Sequence, residues 1–290
     1  GVVVKADGPC AGKGVFVCEE PAEAVVAAER LLVAGALGEA GRKIVVEDRI
    51  KGEELSVFAL TDGETLFRFG EARDHKRLQD ADLGPNTGGM GAYSPVPDVP
   101  SGFLDRIDRE ILVPIVHALR VEGRPYRGIL YAGVMLTPGG PKVIEFNVRL
   151  GDPEAQALLP RLEGDFTAAL AACARGGLDR LSLDWDPRTA VAVVAACPGY
   201  PDRPETGEAI EGLETLEGRS DALLFHAGTA RRDGRVVTSG GRVLAVTGLG
   251  QDLPAAREAA YGALEGIRFP GMQFRRDIGL GLPRAAGRQA

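Results

Sequence analysis

Four stretches of the 290-residue chain combine residue types that could handle phosphate, nucleotide or carboxylate chemistry. The first, Lys5-Ala6-Asp7-Gly8-Pro9-Cys10-Ala11-Gly12-Lys13-Gly14, is a β-branched strand running into a glycine-rich loop with two lysines. Backbone N–H groups in such a loop form an anion-binding concavity, and lysine adds a point charge for phosphate. It is not a Walker A loop, which needs Gly where Asp7 stands and Ser or Thr where Gly14 stands. An ordinary glycine-rich turn has the same composition. The second stretch is Glu47-Asp48-Arg49-Ile50-Lys51-Gly52-Glu53-Glu54. Backbone groups at its strand end could read an adenine edge, and a carboxylate a few residues on could accept ribose hydroxyls; taken alone it reads equally as a solvated charge run.

The third stretch joins Asp74-His75-Lys76-Arg77 to Pro85-Asn86-Thr87-Gly88-Gly89-Met90-Gly91. Three potential cations, an amide, a hydroxyl and small residues that allow close backbone approach suit a polar, anionic substrate; the competing reading is a flexible surface loop. The fourth is Glu145-Phe146-Asn147-Val148-Arg149-Leu150-Gly151-Asp152-Pro153-Glu154. On a strand, period 2 puts Glu145, Asn147 and Arg149 on one face and turns Phe146 and Val148 to the core. Carboxylate and amide oxygens suit Mg²⁺, which can bridge phosphates with few protein ligands. A strand with a polar face is the plain alternative, but Asn86 and Asn147 are the only asparagines in the chain.

The elements that must position these residues follow from periodicity. Val2–Val4 reads as a strand and Pro21 to about Gly41 as an amphipathic helix. Residues 43–47, 54–60 and 65–69 read as strands, the last two joined by a Thr61-Asp62-Gly63 turn. Residues 70–100 show little periodicity and read as a functional loop. Leu104, Ile107, Ile111, Ile115 and Leu119 mark a helix face with Pro114 a kink. Residues 127–137 and 142–148 read as a hairpin around Pro138-Gly139-Gly140. Phe166, Leu170 and Cys173 mark a helix ending at Gly176-Gly177. Beyond a boundary near Pro187, short Val-rich strands alternate with one helix near 254–266. The domains expected are a small unit at 1–61 serving as a lid, a central unit at 62–188 with the substrate loop and metal site, and a C-terminal domain at 189–290.

The composition, with 34 Lys+Arg against 41 Asp+Glu, net charge −7 and 44% hydrophobic residues, describes a globular chain large enough for several cores. An acidic balance argues against a general nucleic-acid role. The apolar run Ala190–Cys197 is far short of the ~20 residues that span a bilayer, so neither membrane nor secretion is expected. Cys10, Cys18, Cys173 and Cys197 lack metal or redox spacing and read as reduced thiols in a cytoplasmic protein. His117 and Trp185 read as structural, and His226 carries no evident chemistry. Residue 1 is Gly and the first strand is already under way, so the chain reads as a fragment or processed product.

Together, KADGPCAGKG, VVEDRIKGEELS, DHKR with GPNTGGMGAYSP, and LYAGVML with KVIEFNVRLGDPEAQ resemble the ATP-grasp ligases, and among them the phosphoribosylamine-glycine ligases. The resemblance runs through the whole chain but lacks the family's N-terminal, Rossmann-like part. It implies an α+β fold: two ATP-grasp units sandwiching a nucleotide, plus a small mainly-β C-terminal domain. It also implies ATP and Mg²⁺ (or Mn²⁺) as cofactors, glycine and 5-phosphoribosylamine as substrates, a monomer, and amide formation through glycyl phosphate. By the same resemblance, Lys5, Gly8, Gly12, Lys13 and Gly14 would cover the ATP phosphates. Glu47 and the backbone near Ile50 would hold adenine, Glu54 the ribose, and Glu145 and Asn147 the metal. Arg149, with Lys13, would face the transferring phosphoryl group. Asp74, Lys76, Arg77, Asn86, Gly88, Gly89 and Gly91 would lie on the substrate side. Two further readings stay open: an ATP-grasp ligase for another carboxylate, or a nucleotide-binding fragment without turnover of its own.

Overall fold

The computed structural model describes residues 1–10, 14–100 and 102–280. The chain divides into two compact units between Glu53 and Glu54. In the first, β1 (Val2–Ala6) lies between β2 (Val15–Cys18) and β3 (Ile44–Asp48), antiparallel to both. Alternation sends Val2, Val4 and Ala6 to one face, where Val4 and Cys18 pack on Ala27 and Leu31 of α1 (Pro21–Leu32). Glu23 accepts hydrogen bonds from the N–H groups of Glu19 (2.7 Å) and Glu20 (3.4 Å) at the helix start. The helix stops at Leu32 rather than near Gly41. Gly35 (φ +61°) and Gly38 (φ +55°) adopt left-handed conformations, and Gly38–Gly41 is a separate 3₁₀ turn.

The second unit is built on an eight-stranded sheet. Its first members are β4 (Glu53–Thr61) and β5 (Leu66–Asp74), antiparallel across a turn in which Gly63 takes φ +95°. Thus β4, assigned to the small unit from sequence, is an interior strand of the large sheet. The stretch 70–100 is not a structureless loop. Strand β5 continues to Asp74, β6 (Arg77–Gln79) pairs with β7 (Leu83–Asn86), and β8 (Gly91–Ser94) is wholly buried inside the sheet.

Next come α2 (Phe103–Ile107) and α3 (Val113–Val121), joined by a π-turn at 108–112. Pro114 has no N–H to return to the preceding turn, and the N–H of Val113 reaches back to Asp108, so the expected kink is a widened turn. The extra residue rotates the buried face from Phe103, Ile107 and Ile111 to Leu112 and Val116. The hairpin β9 (Gly128–Thr137) and β10 (Gly140–Asn147) turns at Pro138-Gly139. Then follow α4 (Glu154–Leu158), β11 (Leu162–Glu163), α5 (Phe166–Arg175) and β12 (Asp184–Trp185).

In the C-terminal region, β13 (Thr189–Ala196), β14 (Ala222–His226), β15 (Thr229–Arg232), β16 (Arg235–Thr238) and β17 (Arg242–Gly250) precede α6 (Leu253–Leu264). The sheet order is β10-β9-β4-β5-β8-β13-β17-β14, so the C-terminal strands extend the central sheet through the pairing of β13 with β8. A Cβ at Gly248 would strike the backbone of Ala256 and Ala260, and this lets α6 lie directly on β17. One face of the central strands packs Leu55, Val57, Ala132 and Val134 against α2 and α3. The other packs Phe58, Leu60, Phe69 and Tyr131 against Leu158, Ala169 and Cys173. Each large side chain so buried contributes roughly 1.5–3 kcal/mol of transfer free energy.

The β4–β5 turn is fixed by Asp62. Its Oδ1 accepts the N–H groups of Glu64 (3.1 Å) and Thr65 (2.8 Å), and its Oδ2 those of Gly177 (3.3 Å) and Leu178 (3.5 Å). Burial would raise this carboxyl's pKa, but the four amides outweigh it and hold it below the usual carboxylate range. Asp62→Ala is therefore expected to destabilise the large unit by about 2–3 kcal/mol in urea unfolding, because it orphans amides in two loops. The stabilisation is full above the unfolded carboxylate pKa of about 3.9 and is lost as pH falls through the lower folded-state value, so the gap between wild type and variant should close on acidification.

Candidate functional site

One face of the central sheet gathers the polar residues. On β10, Asn147 lies opposite Tyr131 and Glu145 opposite Gly133 of β9; on β4, Ser56 lies opposite Ala72 of β5. Period 2 then places Glu54 and Ser56, Ala72 and Asp74, Tyr131 and Gly133, and Glu145 and Asn147 on a shared face. Ser56 Oγ is 2.8 Å from Tyr131 Oη and donates to Glu154 Oε1 of α4 at 3.2 Å. Lys76 Nζ, just past the end of β5, donates to Glu54 Oε2 at 2.5 Å.

Charge is crowded here. Asp74 Oδ1 is sealed from solvent with no hydrogen-bond partner among the described residues. Burial, then the Glu154 carboxylate, and to a lesser degree Glu54, push the Asp74 carboxyl well above the usual range against the pull of Lys76. Burial alone would lower the Lys76 pKa, but Glu54, Asp74 and Glu145 more than offset it, and the ammonium is held charged. Burial and Glu154 push the Tyr131 phenol up, so it stays a neutral hydrogen-bonding group. The face thus sets the Lys76 cation beside Asp74, whose carboxyl is pushed toward its protonated form.

The glycines of the third motif serve the protein's own close contacts. A Cβ on Gly89 (φ +114°) would lie 2.5 Å from Pro153 Cδ and 2.9 Å from Asp74 Oδ1, so the chain there lies directly on the buried carboxyl. A Cβ on Gly91 would lie 2.6 Å from Ala192 O, which makes that glycine a packing requirement. The loop amides are already paired: Thr87 N–H with Lys76 O (2.8 Å), Gly88 N–H with Tyr200 Oη (2.9 Å), Gly89 N–H with Thr87 Oγ1 (3.0 Å) and Met90 N–H with His75 O (2.8 Å). Asn86 sits on β7, opposite Arg77 of β6, and the Arg77 guanidinium donates to Gly84 O at 2.7 Å.

Glu145, Asn147 and Arg149 do line one wall. Asn147 Nδ2 donates to Glu145 Oε1 (3.1 Å), and Arg149 Nη2 reaches Asn147 Oδ1 (3.5 Å). Phe146 and Val148, expected in the core, are 38% and 69% exposed because β10 is the sheet's edge strand. No group of three or more His, Cys, Asp or Glu that could hold a metal ion occurs among the described residues. The carboxylate and amide oxygens of Glu145 and Asn147 nonetheless suit a hard cation that takes its remaining ligands from phosphate.

In the small unit, Lys5 and Glu47 form an ion pair at 2.6 Å on the face opposite α1, which also carries Val3, Val15, Val17 and Val45. An apolar floor with two charges suits a flat heteroaromatic ring joined to an anionic tail. Gly8 packs on Ala40 and its N–H donates to Ala40 O (3.1 Å), so that amide is not open to an anion. Gly14 accepts from Ala6 N–H at 2.8 Å and packs on Cys10. Ile50 follows β3 and is half-buried. Gly12 and Lys13 lie outside the described residues.

Sequence reasoning missed Ser56, Tyr131 and Glu154 as members of the polar face, although Glu154 stands in the fourth motif. It also missed the C-terminal residues that brace the third motif. Arg275, 1% exposed, donates to Asp82 Oδ1 (2.7 Å), to Arg77 O (3.2 Å) and to Asp277. Asp277 in turn accepts the Ala81 N–H at 2.8 Å. No local pattern marks these contacts, which link residues nearly two hundred positions apart.

The fold is that of the ATP-grasp ligases. Residues 1–155 match the phosphoribosylglycinamide synthetase ATP-grasp (A) domain, and residues 190–281 match the C domain of the same synthetase. The chain belongs to the phosphoribosylglycinamide synthetase family. It is 50% identical over 278 residues to the phosphoribosylamine–glycine ligase of Rhodopirellula baltica, covering 96% of this chain and 64% of that protein. It is 50% identical over 279 residues to the Caulobacter vibrioides ligase, at 96% and 65% coverage. The crystal structure of the Thermotoga maritima phosphoribosylamine–glycine ligase superposes with a TM-score of 0.85 at 38% identity, covering 96% of this chain and 68% of that one. A biotin carboxylase domain from Hydrogenobacter thermophilus shares the fold at TM-score 0.68 and 17% identity, with coverage of 94% and 58%. The chain therefore spans about two thirds of the length of the curated relatives it matches. No helix among the described residues is long and apolar enough to cross a membrane.

Of the three cations counted in Asp74-His75-Lys76-Arg77, one is not a cation. His75 is buried, its Nδ1 has no partner among the described residues, and burial followed by the Arg275 charge lowers its pKa to about 4. Its ring signals in NMR should stay those of neutral imidazole from pH 8 down to about 5, and a midpoint above 6 would contradict this placement. The depressed pKa gives stability that is full above the unfolded value of about 6.5 and is lost as pH falls toward the folded-state value.

Proposed function

We propose that the protein is an ATP-dependent ligase that joins glycine to 5-phosphoribosylamine through glycyl phosphate, releasing ADP and phosphate. The observation that carries this reading is the polar sheet face of Glu54, Asp74, Lys76, Glu145 and Asn147, in a chain whose family relatives bear the name of that reaction. A carboxylate is a poor acyl donor because its leaving group would be an oxide; phosphorylation turns that into a stable anion. The glycine carboxylate takes the terminal phosphoryl group of ATP, and the amine then displaces phosphate to form the amide. The protein's tasks are to orient the reactants, hold positive charge near the crowded oxygens and keep water from the mixed anhydride.

Lys5, Lys13 and the Gly8–Gly14 loop are the candidates for the ATP phosphates, Glu47 and Ile50 for adenine, and Glu54 for ribose. Lys76 and Arg149 supply fixed positive charge for phosphoryl oxygens. Glu145 and Asn147 would hold Mg²⁺, which would supply positive charge to neutralise the phosphate there. Asp74, Arg77, Asn86 and the Gly88–Gly91 turn form the substrate side. Here Asp74, whose carboxyl burial and the neighbouring Glu154 carboxylate hold toward the protonated form, can donate a hydrogen bond to the substrate.

The test is ADP release by the complete gene product, with glycine and phosphoribosylamine supplied together, singly, or replaced by bicarbonate or formate. Turnover that needs both named substrates is expected; turnover that follows bicarbonate or formate would reject the assignment. Glu145→Gln and Asn147→Ala should each cost about a hundredfold in turnover at limiting Mg²⁺, as loss of one preorganised electrostatic group does. Wild-type rates across a Mg²⁺ titration would remove these residues from the metal site.

A further inference from the structure

The first residue of β17, Arg242, ties two loops of the polar face together from the C-terminal region. Its Nη1 donates to the carbonyls of Gly88 (2.8 Å), Gly89 (3.2 Å) and Asp152 (2.6 Å), and its Nη2 donates to Asp152 Oδ2 (3.1 Å). The contacts cross 154 residues to the glycine turn and 90 residues to the Gly151-Asp152-Pro153-Glu154 turn. Both turns end on the reacting side. Gly89 lies on Asp74 Oδ1, and Glu154, two residues past Asp152, accepts from Ser56 and faces Asp74. The guanidinium lies against Gly88, where a Cβ would come within 3.0 Å of Arg242 Cζ. A planar, permanently charged fork holds the carbonyls of separate loops in one preorganised geometry, whereas a lysine ammonium is a point charge on a flexible stem.

We propose that Arg242 is a positioning residue for the ligase reaction: by joining Gly88 and Gly89 to Asp152 it fixes the placement of the Asp74 carboxyl relative to Glu154 and Lys76. This rests on the ligase reading above, which assigns no role to the C-terminal region. A displacement of about 1 Å in such a group costs on the order of a hundredfold in rate, whereas ATP contacts elsewhere are untouched.

The experiment uses the complete gene product with Arg242→Ala and Arg242→Lys. Arg242→Ala should lose about a hundredfold in kcat while KM for ATP stays within about twofold, and added guanidinium at low millimolar concentration should restore about tenfold of the loss. Arg242→Lys should keep the charge but recover less than guanidinium does. A kcat within about threefold of wild type in both variants, or a loss that guanidinium leaves unchanged, overturns the proposal. Amide hydrogen exchange at Gly88–Met90 provides a readout independent of turnover, and also serves if Arg242→Ala does not fold. Exchange in Arg242→Lys should be faster by about tenfold, and wild-type exchange overturns the proposal. If the wild type shows no glycine-dependent turnover, the ligase reading fails, and the exchange result alone decides whether Arg242 orders the turn.

Discussion

The site depends on keeping carboxyl groups close together where the sheet face passes from the buried Glu154 and half-buried Asp74 to the exposed Glu54 and Glu145. Two unit charges of like sign ~4 Å apart repel by about 4 kcal/mol at the effective dielectric of a protein interior margin. That is several times the net free energy of a typical neutral hydrogen bond. Lys76 relieves part of this by pairing with Glu54, and Asp74 relieves part by favouring its protonated form. Neither adjustment would last on a mobile surface, where the groups would separate and hydrate. They persist because β4 and β5 are packed on both faces, Leu55 and Val57 toward α2 and α3, Phe58 and Phe69 toward α4 and α5. The apolar core therefore sustains the electrostatic tension that gives the polar face its chemistry.

The glycine-rich turn completes the enclosure in an unusual way for such a sequence. Loops of this composition commonly present free amides to an anion. Here the amides from Thr87 to Met90 are all paired within the protein, and the absent side chains let Gly89 settle against Asp74. What the turn supplies is a fixed shape and a lowered local polarity over Asp74, beside the charge of Lys76.

Much of the scaffold was legible because its signals are local. Alternation gave β1, β4, β9 and β10, the Asp62-Gly63 turn gave the β4–β5 hairpin, and Pro114 marked the irregular turn between α2 and α3. Period 2 put Glu145, Asn147 and Arg149 on one wall, and the family resemblance gave the ATP-grasp class. Where the reading failed, the deciding contact was distant. Strand β8 is four residues long and earns its place by pairing with β13, a hundred positions away in the chain. Phe146 was expected in the core by parity, but its strand lies at an edge. His75 counted as a cation until burial and Arg275 were seen to disfavour its charge. Tyr200, Arg242 and Arg275 gave no signal at all, since a single arginine in a strand or tail looks like any solvated charge.

These three residues change what the C-terminal region is for. A domain joined by a linker could move without disturbing the polar face, but here β13 is hydrogen-bonded to β8 and β8 to β5, the strand that bears Asp74. Displacing the C-terminal strands would break that ladder, and would also remove Arg242 from Gly88 and Asp152 and Arg275 from Asp82. The cost is cooperative, because sheet pairing and side-chain clamps fail together. A rigid connection of this kind is what a site needs when its working groups repel one another: the restraint must come from elements outside the repelling set, and in this chain it comes from the far end of the same sheet.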